Sequence, residues 1–143
     1  MLASGPSAVR DACAPVLEAV GSRTVWLGEE VGKGSRMKMV VNAWLLDMVA
    51  ALGETIGLAE TLGLDPTDFL AVIEGGPLDC PYAQLKGKAM IGHDYTVSFP
   101  LVHARKDAHL ALEGAEAAGM SQAGYGDQDM AASREVVGQP LGN

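Results

Sequence analysis

A mainly α-helical fold with a long helix early in the chain, preceded by a short strand–helix–strand piece, is what this sequence predicts. Three observations carry that prediction. From about residue 35 onward, apolar residues recur at helical rather than alternating spacing. The single strand-like run, Thr24-Val25-Trp26-Leu27, lies in the first thirty residues between Gly21 and Gly28. Glycine and proline then cut the remainder into helix-length pieces at Gly63, Pro66, Gly75-Gly76-Pro77, Pro100 and Gly119.

Each element follows in order. The chain opens with a short extended start, then a helix from about Pro6 to Val20, then the strand Thr24–Leu27. A lone strand cannot stay paired, so it needs a sheet to join, and the rest of the chain supplies no obvious partner strand. The division is therefore expected at residues 1–31 and 32–143. Ser35 reads as an N-cap and Gly63 as a C-terminal stop, giving a helix of about 28 residues and roughly 42 Å. Trp44, Met48, Ala51 and Leu52 along it need cover on more than one side, and a partner subunit is one way to supply it. Asp65-Pro66 opens a third helix, with proline at its first position, ending at Gly75-Gly76-Pro77. Tyr82 to Ile91 predicts a short fourth helix. Ser98-Phe99-Pro100 starts a fifth that ends at Gly119, with Ala104, Ala108, Ala111 and Ala115 on one close-packing face. Gln128 to Val137 has room for a further turn or two.

The 143 residues suit one core of ordinary size, and 48% hydrophobic with 20% charged residues describes a globular chain. Ten Lys and Arg against eighteen Asp and Glu give a net charge of −8, the wrong sign for nucleic acid or an anionic membrane. Cys13 and Cys80 form no C-x-x-C pair, which fits a reducing compartment, and no leader-like apolar stretch opens the chain, so the cytoplasm is expected. Lys38, Asn42 and Asp47 interrupt the most apolar run, Met37 to Leu52, so it falls short of a membrane span and is expected to be a buried soluble helix.

The most informative segment is Gly32-Lys33-Gly34-Ser35-Arg36-Met37-Lys38-Met39-Val40-Val41-Asn42. At 100° per residue, Lys38 and Asn42 share a face with Leu45, Val49 and Ile56, opposite Arg36, Asp47 and Glu54. Two readings stay open. A lysine on an apolar stripe is partly desolvated, which moves its pKa down toward proton exchange and suits an acid/base role. Alternatively Lys38 snorkels to water and Asn42 satisfies a nearby backbone group.

Other candidates are weaker. Gly28 to Ser35 spaces as G-x-x-x-G-K-G, one residue short of a phosphate loop, and no G-x-G-x-x-G occurs anywhere. His103 and His109, six apart on a helix, do not align, and with His93 they make no metal site. Cys80 precedes Pro81 with no histidine placed nearby in sequence, which reads as structural. Lys106-Asp107 lies on the side of its helix away from the alanines and reads on pattern as a solvated charge pair.

Taken together, G-x-G-x-x-x-K-x-x-x-N at Gly32 to Asn42, Glu54, Ala59-Glu60…Gly63-Leu64-Asp65, and Phe99 followed by Lys106-Asp107 resemble the C-terminal part of the β-hydroxyacid dehydrogenase family. That family includes 3-hydroxyisobutyrate dehydrogenase, tartronate semialdehyde reductase and glyoxylate/succinic semialdehyde reductases, with a 6-phosphogluconate dehydrogenase-like C-terminal domain. The resemblance implies that residues 1–31 end a truncated Rossmann nucleotide-binding domain and 32–143 form an all-helical substrate and dimerisation domain. It implies Lys38 as the catalytic acid/base, Asn42 as the substrate-positioning residue, and Phe99, Lys106, Gly32 and Gly34 at the cofactor. The implied cofactor is NAD or NADP, held mainly by a domain absent from this chain. The implied substrate is a small hydroxy acid or semialdehyde, and the implied assembly is a homodimer through the long helix.

Two departures qualify the resemblance. The family's G-x-G-x-x-G half is missing, so the chain is expected to be inactive alone. The helix of roughly four turns that the family carries between the positions of Met120 and Ser121 is deleted, leaving a core face uncovered. A non-catalytic helical dimerisation module derived from the same family is the alternative.

Overall fold

A computed structural model of the chain describes residues 1–120. Five helices and one two-stranded sheet make up the described residues. The chain divides into two compact units, Met1–Ala43 and Trp44–Asn143, with the division inside the long second helix.

The first unit is a strand–helix–strand turn that leads into a helix. Strand β1 (Leu2–Ala3) is followed by α1 (Ser7–Val20) and β2 (Val25–Trp26), and the strands pair in parallel with Leu2 opposite Val25 and Ala3 opposite Trp26. The extended start is thus the partner that the sequence did not reveal. Two residues per strand are too few to show an alternating pattern, and pairing shows instead in the backbone. Val25 N–H donates to Met1 O at 2.9 Å, Leu27 N–H to Ala3 O at 2.8 Å, and Gly5 N–H to Gly28 O at 3.0 Å. The Arg10 guanidinium sits 5.8 Å from the Trp26 ring centroid, linking α1 to the strand it precedes.

Helix α2 (Lys33–Thr61) starts two residues ahead of the predicted Ser35 cap. Ser4 Oγ accepts the backbone N–H of Gly34 at 2.9 Å, so a hydroxyl thirty residues away satisfies one of the helix's orphan donors. A Cβ on Gly34 would meet Leu2 O at 3.3 Å and Ala3 backbone carbons at 3.4 Å. Glycine is what allows the first turn of α2 to lie against β1.

The second unit holds the rest of α2 with α3 (Pro66–Ile73), α4 (Pro81–Ile91) and α5 (Leu101–Ala117). Helix α2 stops where the sequence predicts. Gly63 takes φ +72°, its N–H reaches Glu60 O, and Leu64 N–H reaches Ala59 O, a glycine-terminated Schellman turn. Asp65 caps α3 by accepting Thr67 N–H at 2.8 Å and Thr67 Oγ1–H at 2.7 Å. The core is Leu52 and Ile56 of α2, Leu70 of α3 and Ala83 of α4, with Phe69, Cys80, Met90 and Ile91 packed on it.

One expectation needs correction. Helix α2 is not a buried helix: Val40, Trp44 and Leu58 are 62%, 67% and 58% exposed. The described residues offer α2 one packed side, and its other side has nothing apolar to meet. Over its full 29 residues α2 is also, by length and composition, the one described helix able to cross a membrane, although Met37 to Leu52 alone is interrupted. The two compact units part within α2, between Ala43 and Trp44.

Candidate functional site

In the first unit, Lys38 and Asn42 lie one turn apart in the first half of α2, on adjoining positions of one helix face. Asn42 is half-buried and Lys38 is exposed, and both have polar partners. The expected partial desolvation of Lys38 is therefore not supplied among the described residues. Its face of α2 meets solvent because no described element covers it.

Gly32 and Gly34 border an open hollow of about 320 Å3 shared with Ser4, Cys13 and Trp26. Gly32 has φ +85°. The Gly34 N–H is already donated to Ser4, and the Ser4 hydroxyl keeps its own proton to donate onward.

In the second unit, Phe99 and Lys106 flank the first turns of α5. The Phe99 side chain is partly open to solvent and its ring lies 6.1 Å from His103. The Lys106 amine is 3.3 Å from Asp107 Oδ1, with the Lys106 side chain 62% exposed and that of Asp107 7%. This corrects the reading of a solvated pair lying away from the alanine face. Position 107 is one turn before Ala111 and adjoins Ala108, so its carboxylate turns inward while its neighbour's amine stays in water.

Other side chains fall outside any expected site. His109 pairs with Glu113 at 3.2 Å, and Cys80 Sγ lies 3.6 Å from Met48 Sδ as part of core packing. Gln84 Nε2 donates to Leu70 O and to Asp79 Oδ1, each at 3.0 Å, while Asp79 Oδ2 accepts Gly75 N–H at 2.9 Å. These bonds hold the Asp79 carboxyl below the ordinary carboxylate range, the Gly75 backbone bond contributing most. A further group, Lys86 with Ser98 and Tyr82, borders an apolar groove that no sequence pattern announced. The predicted turns between Gln128 and Val137, and the deletion point at Met120-Ser121 beyond Met120, lie outside the described residues.

Comparison with known proteins gives these features a context. Residues 32–135 match the family described as the NAD-binding domain of NADP-dependent 3-hydroxyisobutyrate dehydrogenase. A glyoxylate/succinic semialdehyde reductase 2 of Arabidopsis thaliana, chloroplastic by its name, is 39% identical over 120 residues, covering 84% of this chain and 33% of that protein. A cytokine-like nuclear factor N-PAC of Aedes aegypti is 30% identical over 116 residues, covering 81% of this chain and 21% of its own. The crystal structure of a 3-hydroxyisobutyrate dehydrogenase from Salmonella typhimurium superposes with a TM-score of 0.76 at 22% identity, covering 93% of this chain and 45% of that one. The chain thus spans about a third or less of the curated relatives named here.

Proposed function

The chain belongs to the family of the NAD-binding domain of NADP-dependent 3-hydroxyisobutyrate dehydrogenase, and from that premise we propose that it is the C-terminal part of an NAD(P)-dependent β-hydroxyacid dehydrogenase or semialdehyde reductase. The observation that carries the reading is the Lys38–Asn42 pair, one turn apart on α2 inside the family match. In this reading the Lys38 ammonium gives a proton to the carbonyl oxygen of a small semialdehyde as an alcohol forms, or takes it back in the reverse direction. Asn42 holds that oxygen or its neighbour in reach. The nicotinamide, when bound, supplies or accepts the hydride.

The residues present fit part of such a cofactor. An exposed aromatic face at Phe99 and an exposed ammonium at Lys106 suit a planar ring and an anionic group beside it. Gly32 and Gly34 beside their hollow give the backbone little bulk there. The G-x-G-x-x-G spacing with which a dinucleotide is usually gripped does not occur in the sequence. Lys38 is exposed among the described residues, so in this reading its desolvation comes from substrate and from protein beyond them. The proposal therefore includes inactivity of the chain alone, a boundary near residue 31, a cytoplasmic location, and a homodimer that covers Val40, Trp44 and Leu58.

A second reading, a non-catalytic helical dimerisation module, is favoured by one observation: relatives at 25 to 30% identity are named as nuclear factors rather than reductases. One experiment separates the two. The chain is fused behind the nucleotide-binding half of the Arabidopsis reductase and assayed for NADPH oxidation with succinic semialdehyde. Turnover that is lost on Lys38→Ala supports the enzyme reading, and a folded, dimeric but inactive fusion supports the module.

A further inference from the structure

We draw no further inference here: the strongest candidate, the open hollow of about 320 Å3 that Ser4, Cys13 and Trp26 line in the first unit, shares Gly32 and Gly34 with the cofactor site already described and carries nothing beyond it.

Discussion

The amine of Lys106 stands 3.3 Å from the carboxylate of Asp107, its neighbour in sequence, yet one side chain is 62% exposed and the other 7%. A buried carboxylate thus anchors an amine that stays in water. Removing the anchor costs more than removing the exposed partner. Asp107→Ala is expected to destabilise the chain by roughly 1–3 kcal/mol, since a buried carboxylate is removed together with the interactions it makes. Lys106→Ala is expected to cost under about 1 kcal/mol. Urea denaturation of the two variants checks the order, and equal losses would contradict it.

Helix packing in the second unit predicts opposite outcomes for two glycines. A Cβ on Gly87 would sit 2.8 Å from Leu70 Cδ2, and Leu70 is buried in the core, whereas a Cβ on Gly57 would meet nothing within 4 Å. Gly57→Ala is expected to raise stability by about 0.5–1 kcal/mol through helix propensity alone. Gly87→Ala gains the same propensity but overpacks, for a net loss of about 1 kcal/mol. Leu70→Ala should cost about 2–5 kcal/mol. Thermal melts of the three variants read these out.

Acid should unfold the second unit through its loop carboxylates. Asp65, Asp79 and Asp94 are all held below the usual carboxylate range, Asp65 and Asp94 chiefly by a threonine hydroxyl and Asp79 chiefly by the Gly75 N–H. A lowered folded pKa means that the stabilisation is present above the unfolded value of about 3.9 and is lost as pH falls through the folded value below it. The melting temperature is therefore expected to fall below about pH 4, and Asp79→Asn to flatten that fall. An unchanged acid profile in Asp79→Asn would contradict it.

Much of the fold was legible because its punctuation is chemical. Asp65-Pro66, Gly63 and Gly119 fix helix ends by capping and by the left-handed turn, and those ends fell within two residues of expectation. What was illegible depends on distance in sequence. The β1–β2 pairing joins residues 23 apart through strands too short to alternate, and the Ser4–Gly34 cap has no local signature. Asp107 was misplaced because it was read together with Lys106 as one pair, whereas at 100° per residue position 107 falls beside the Ala104–Ala111 stripe and position 106 well away from it. The groove at Lys86 arises from three helices and a loop, so no single segment announces it. At the candidate site, residue types were readable at Lys38 and Asn42, but the exposure of Lys38 was not, because a helical wheel fixes a face and not what packs on it.

The proposed acid/base role of Lys38 is tested by one comparison. In the fusion with the Arabidopsis nucleotide-binding half, single-turnover NADPH oxidation with succinic semialdehyde is measured for the parent and for Lys38→Ala. A general acid is worth about 10^2- to 10^4-fold, so a loss of that size in the chemical step is expected, with NADPH affinity little changed. A Lys38→Ala fusion that turns over like its parent would contradict it.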